Sequence, residues 1–269
     1  MLVNGKHCNL LSIRDRGLLY GDGVFRTLRA VKGRALHWSL HYRKLHDDCT
    51  SLGITCPEEA VLASELGELL VQHPDGVIKL IVTRGEGARG YAPPVRARPV
   101  HIWDVSTLPD YPDEWYSDGI KLHVCQLRLS YQPQLAGIKH LNRLENVLAA
   151  AEWSGADIAE GLLLDGAGHV IEGTRSNLFM VRDGALQTPD LSLCGVAGVQ
   201  RERVLKWAIK HNIPCRVAQF GLEELLTADE VFLVNSVMGL WPVCEVQGRT
   251  WQQFPVARQI GAWLNATSD

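Results

Sequence analysis

Hydrophobic positions along the chain switch between strict alternation, helical spacing and dense apolar runs, and each switch marks an element. Residues 1–7 read as a short strand turning at Asn4-Gly5, a hairpin signal. Gly21-Asp22-Gly23 leads into a strand over 24–31, where Phe25, Thr27 and Arg29 share one face and Arg26 and Leu28 the other. Trp38, His41, Tyr42, Leu45, Cys49 and Leu52 recur at helical spacing before a stop at Gly53, and a second helix is expected over 58–72. The runs 77–83 and 100–105 read as strands.

Residues 108–118, with two prolines and many acidic and aromatic side chains, read as a linker. That splits the chain into an N-terminal α+β domain, 1–107, and a C-terminal α/β domain, 119–269. The second part opens with a strand over 120–127, and then Leu141, Leu144, Leu148 and Ala151 follow helical spacing. Short strands at 161–165, 169–172, 177–181 and 185–188, separated by Gly-containing turns, suggest a meander. Gly195 and Gly198 precede an amphipathic helix over 199–210, followed by a helix near 222–228 and a buried strand at 231–234. The fold class expected is α/β, of mixed α+β character, in two domains.

Composition narrows the partners. With 269 residues, 46% hydrophobic and 21% charged, the chain can bury a sizeable core. A net charge of −3 argues against nucleic acid or anionic membrane as the main partner. Seven cysteines, an odd number without a CxxC pair, suggest reduced thiols. No secretory signal pattern or membrane-length apolar run is evident, so a cytoplasmic location is expected and the Asn265-Ala266-Thr267 sequon is expected to be silent.

The candidate chemistry starts at Lys139. It stands between the uncharged Gln134-Leu135-Ala136-Gly137-Ile138 and an expected helix start. A lysine there is either a snorkelling surface charge or a partly desolvated amine, and only the second suits imine chemistry. Gly195-Val196-Ala197-Gly198-Val199-Gln200 opens a helix, where backbone N–H groups can meet an anion. Gly85-Glu86-Gly87-Ala88-Arg89-Gly90 fits G-x-G-x-x-G, but the Tyr91-Ala92-Pro93-Pro94 that follows does not open a helix. Its Arg89, with Arg84 and Tyr91 beside it, belongs to a loop that is either solvated or faces an anionic substrate. His123 and Cys125 share a strand face, yet no second ligand pair has zinc-like spacing, so no metal is expected.

Several stretches occur together and in order: Asp15-Arg16-Gly17-Leu18-Leu19-Tyr20-Gly21-Asp22-Gly23-Val24-Phe25, Arg84-Gly85 through Arg89-Gly90-Tyr91, Leu135-Ala136-Gly137-Ile138-Lys139-His140-Leu141-Asn142-Arg143-Leu144-Glu145, and Val170-Ile171-Glu172-Gly173 with Ser176-Asn177-Leu178-Phe179. This set resembles the fold-type IV pyridoxal-phosphate enzymes, which include branched-chain and D-amino acid transaminases. The lysine stretch resembles the aminodeoxychorismate lyase branch in particular.

The resemblance implies a two-domain, D-amino acid aminotransferase-like architecture, a homodimer and bound pyridoxal 5'-phosphate. It also implies the conversion of 4-amino-4-deoxychorismate to 4-aminobenzoate and pyruvate in folate biosynthesis. Lys139 resembles the Schiff-base lysine, and Glu172 the carboxylate at the pyridine nitrogen. Val199, Gln200 and Ser236 resemble phosphate ligands. The family's phosphate arginine falls at Lys44 here, leaving either Lys44 or the adjacent Arg43 for that role. Thr27 resembles the lyase threonine, whereas transaminases of the group usually carry glutamate at the position of Arg26. Arg84, Arg89 and Tyr91 are implied to meet the substrate's carboxylates. The alternatives are an aminotransferase on the same cofactor and, further off, a non-catalytic binding protein.

Overall fold

The computed structural model describes residues 1–155 and 157–266; Thr267 of the sequon and the last residues of the expected second domain lie outside the described residues. The chain forms two compact units. Among the described residues, the first comprises Met1–Pro109 with Ile138–Asn142, and the second Asp110–Gly137 with the chain between Arg143 and Ala266.

The first unit holds β1 (Leu2–Val3), β2 (Lys6–His7), α1 (Arg16–Tyr20), β3 (Gly23–Val31), β4 (Arg34–Ala35), α2 (Trp38–Ser51), α3 (Glu59–Gln72), β5 (Gly76–Thr83) and β6 (Val100–Ser106). Its strands run in the order β2-β1-β6-β5-β3-β4. The predicted alternation in β3 holds: Val24, Leu28 and Ala30 are fully buried, whereas Phe25, Thr27 and Arg29 are half-buried. The buried face meets Leu45 and Cys49 of α2 and Leu62, Leu66 and Leu69 of α3 in one core. Each leucine buried there contributes about 2 kcal/mol. Helices thus cover one face of the sheet, and the Phe25–Thr27–Arg29 face is left for other use.

The second unit begins with α4 (Glu114–Ser117) and β7 (Ile120–Leu129), followed by α5 (Leu144–Ala150), β8 (Ile158–Asp165), β9 (Val170–Gly173), β10 (Asn177–Arg182) and β11 (Ala185–Pro189). It continues through α6 (Val199–Lys210), β12 (Cys215–Ala218), α7 (Leu222–Leu225), β13 (Glu230–Asn235), β14 (Gly239–Val246), β15 (Arg249–Thr250) and α8 (Pro255–Ala266). The main strand order is β12-β11-β10-β13-β14-β7-β8-β9, with β15 on β14. The core includes Phe179 and Phe232, stacked at 5.3 Å, together with Trp207, Trp241 and residues of α8.

Three expectations need correction. The meander survives only as two hairpins, β8–β9 and β10–β11, because β13, β14 and β7 lie between them. Apolar content alone does not choose among these strands as neighbours, since nearly all are buried. The expected linker is part of the second unit: Tyr111, Trp115 and Tyr116 set their rings edge-on to buried Trp241. Finally, Lys139 belongs to the first unit rather than to the C-terminal domain. Its segment pairs with the start of β3, Phe25 N–H donating to the Lys139 carbonyl at 3.0 Å and Leu141 N–H to the Gly23 carbonyl at 2.9 Å.

Asp22 organises the loop after β5. Its Oδ2 accepts from Arg16 Nε and Arg84 Nε, each at 2.8 Å. Arg16 continues to the carbonyls of Gly90 and Tyr91, and Arg84 to those of Leu52 and Gly53. Burial raises the Asp22 pKa, but the hydrogen bonds and charges of Arg84 and Arg16 together outweigh it and hold the carboxyl below the ordinary aspartate value of 3.8. A carboxyl depressed on folding contributes stability that is complete above that value and is lost as pH falls through the folded one. Asp22→Asn is therefore expected to lower stability at neutral pH by about 2 kcal/mol and to flatten the acid limb of the stability curve. Denaturant melts of both proteins from pH 7 downward check this, and parallel acid limbs would contradict it.

Candidate functional site

Lys139 sits in a short extended segment fixed at both sides. Ile138 is buried in the first unit's core, and His140 bridges to Val24. Asn142 Nδ2 donates to the Gly21 carbonyl at 3.2 Å. The Lys139 backbone N–H donates to Asp48 Oδ2 at 2.9 Å. Its half-buried side chain lies along the open face of β3, with Nζ 4.4 Å from the centre of the Phe25 ring. Lys79 Nζ is 5.0 Å from the same ring, and Lys79 stands directly across the strands from Thr27. An aromatic face attracts an ammonium group without neutralising it. The amine, the Thr27 position and a second cation therefore share one sheet face.

Helix α2 supplies the candidates for phosphate binding in this unit. Its inward side carries His41, Leu45, Asp48 and Cys49, all buried. Lys44 is half-buried beside that row, whereas Arg43 is exposed with His46, Asp47 and Thr50. Regular helical geometry thus favours Lys44 over Arg43. In the loop after β5, Arg89 and Tyr91 are exposed, and the Tyr91 ring stands edge-on to Tyr20 at 5.3 Å. Arg84 is different: it is buried, and its guanidinium holds Asp22 and two carbonyls at the end of α2. That corrects the expectation that it faces a substrate; it braces the loop that carries Arg89.

In the second unit, Glu172 ends β9 with its carboxylate buried, and its Oε2 accepts the N–H of Val196 at 2.8 Å. This close approach depends on Gly195, whose φ is +86°; a Cβ there would lie 2.8 Å from side-chain atoms of both Ile171 and Leu191. Gly137 N–H donates to the Gly195 carbonyl and Ala197 N–H to the Gly137 carbonyl, fixing the loop from its other edge. Asn177 completes the frame, Nδ2 donating to the Val196 carbonyl at 2.7 Å and Oδ1 accepting from Gly198 N–H at 3.0 Å.

Helix α6 then starts at Val199 with Gly198 as its N-cap and no side-chain cap bond. Its opening N–H groups carry the positive end of the helix dipole. Val199 and Gln200 are buried there, and Ser236 is half-buried in the turn after β13, which Asn235 Oδ1 shapes by accepting from Val237 and Met238 N–H at 2.8 Å each.

Each unit by itself offers groups of the kind pyridoxal phosphate needs: the first an amine on a sheet face, the second a buried carboxylate and a helix start free of a side-chain cap. Sequence reading missed Asp48, which holds the Lys139 backbone, and Asn177, which holds the loop before α6. Each had a signal. Asp48 is an acidic residue on the apolar side of an amphipathic helix, and Asn177 lies within the motif Ser176-Asn177-Leu178-Phe179.

Comparison with known proteins agrees with the geometry. The chain is 39% identical over 241 residues to an aminodeoxychorismate lyase of Vibrio harveyi, covering 90% of this chain and 89% of that one. It is 35% identical over 255 residues to a putative branched-chain-amino-acid aminotransferase of Methanocaldococcus jannaschii, covering 92% and 88%. The crystal structure of 4-amino-4-deoxychorismate lyase from Pseudomonas aeruginosa superimposes with a TM-score of 0.94 at 47% identity, covering 98% of both chains. The family model for class IV amino-transferases matches residues 23–246, and the chain belongs to that family.

Proposed function

We propose that the protein is a pyridoxal-phosphate-dependent lyase that converts 4-amino-4-deoxychorismate to 4-aminobenzoate and pyruvate, a step of folate biosynthesis. The observation that carries this reading is Thr27, a hydroxyl on the same face of β3 on which the Lys139 amine lies against Phe25. The likeness to two lyases over nearly the whole chain supports it. Arg26 separates the chain from transaminases in sequence only indirectly, because its side chain is buried on the opposite side of the strand.

Lys139 would hold the cofactor through its amine, and Glu172 would keep a proton on the ring nitrogen. Lys44, the first N–H groups of α6 at Val199 and Gln200, and Ser236 bind the phosphate. When bound, pyridoxal phosphate supplies an electron sink for the carbon that carries the substrate's amino group. The Lys139 amine would take the proton from C4 of the substrate. The C3–O bond then breaks, and the Thr27 hydroxyl or the Lys139 ammonium hands a proton to the departing enolpyruvyl group. Loss of the C4 proton and the C3 substituent makes the ring aromatic, which drives the step. Arg89 and Tyr91 meet the substrate's two carboxylates.

The enzyme works in the cytoplasm as a homodimer. All seven cysteines are free thiols, consistent with a reducing compartment. Leu144, Val147 and Leu148 of α5 are more than half exposed, and so is Leu18 of α1; such apolar side chains suit coverage by a second copy.

Purified protein loaded with pyridoxal phosphate is expected to turn yellow and to release 4-aminobenzoate, read by fluorescence. Borohydride is expected to fix the cofactor on the peptide containing Lys139. Lys139→Ala should lose both, and a Lys139→Ala protein that still traps cofactor would sink the assignment. Transfer of an amino group to a 2-oxo acid without 4-aminobenzoate would favour the aminotransferase instead. Thr27→Val is expected to keep cofactor binding and to lower kcat by roughly 100-fold; an unchanged kcat removes Thr27 from proton transfer. Sedimentation should give twice the 29.8 kDa chain mass, falling to one chain in Leu144→Glu/Val147→Glu.

A further inference from the structure

Two charged side chains of the first unit are buried more deeply than their chemistry favours. Arg26 is 2% exposed and Asp48 6% exposed, and the two form an ion pair. The same Arg26 nitrogen donates to the carbonyl of Lys44 at 2.8 Å. The same Asp48 oxygen accepts the backbone N–H of Lys139 at 2.9 Å. Arg26 Nε finds no hydrogen-bond partner among the described residues.

Stability does not account for this pair. Burial pushes the Arg26 pKa down more strongly than the Asp48 charge lifts it. It also pushes the Asp48 pKa up more strongly than Arg26 and the Lys139 N–H lower it. Apolar side chains of similar volume often replace such pairs without loss of stability. What they cannot supply is an acceptor for the Lys139 N–H. The carbonyl of Lys139 is held by Phe25, so Asp48 grips the residue on its other side. With both peptide groups fixed, the Cα–Cβ bond of Lys139 has one direction.

We propose that Arg26 and Asp48 are positioning residues for Lys139: Asp48 clamps its backbone N–H, and Arg26 holds that carboxylate while tying it to the turn of α2 that carries Lys44. The proposal rests on the cofactor role of Lys139 given above. Neither residue touches the reacting atoms. Arg26 and Asp48 set the direction of the amine and keep the Lys44 turn in register with it.

The test compares the full-length parent with Arg26→Met/Asp48→Leu, Asp48→Asn and Asp48→Ala. In cofactor-free protein, the double variant is expected to melt no lower than the parent, while its Lys139 amide exchanges about tenfold or more faster by hydrogen exchange. With pyridoxal phosphate and aminodeoxychorismate supplied, kcat should fall roughly 10- to 100-fold with KM nearly unchanged. Parent-like exchange together with parent-like kcat overturns the proposal.

Asp48→Asn keeps an acceptor and Asp48→Ala does not. The Asn variant should therefore retain amide protection and at least about tenfold more kcat than the Ala variant, and equal losses in the two also overturn the proposal. The exchange measurement needs neither cofactor nor turnover. A parent that makes no 4-aminobenzoate sinks the lyase reading, and the Lys139 amide still decides the clamp.

Discussion

Phe25 donates to the carbonyl of Lys139 and Leu141 to that of Gly23, and on these two backbone bonds depends the position of Lys139, the lysine proposed to carry the chemistry. A lysine at a loop-to-helix junction would ordinarily sample many rotamers in water. Here it lies in a short segment bridged to the start of β3. Its side chain must lie on the face of the sheet that the helices do not cover. Burying Ile138 next to it in the core anchors the segment, so hydrophobic packing and strand pairing fix one backbone together.

The second unit reaches its own order by a different route, through backbone groups crowded around glycine. Gly195 adopts a left-handed conformation in a space too tight for a Cβ, and that lets Val196 N–H reach the Glu172 carboxylate. Asn177 satisfies the loop's remaining donor and acceptor with one side-chain amide. Buried polar groups are expensive unless paired, and this loop is paired by Glu172, Asn177 and Gly137.

Local pattern made most of the strands and helices legible. Alternation in β3 separated Thr27 from Arg26, and helical spacing identified α2, α3 and α6. What stayed hidden depended on distant partners. The order of the β7–β14 strands is not readable because buried strands look alike in sequence, and sequence position alone puts Lys139 in the second half because the pairing of its segment with β3 spans more than a hundred residues. Arg84 looked like a ligand because nothing near it in sequence shows that Asp22 and the end of α2 claim its guanidinium. The roles of Lys139, Glu172 and Thr27 were suggested by whole motifs, since a lone lysine, glutamate or threonine has a duller explanation available.

The alternation in β3 also constrains how the gene can change. Thr27 shares the strand face on which the Lys139 amine lies, and Arg26 faces the core, only because an even or odd position decides the side of the strand. Inserting or deleting one codon between Gly23 and Arg26 would exchange the two, putting a hydroxyl into the core and a guanidinium on the face of the amine. Length variation among descendants of this protein should therefore concentrate in its surface loops, and within β3 it should be absent or come in pairs of residues.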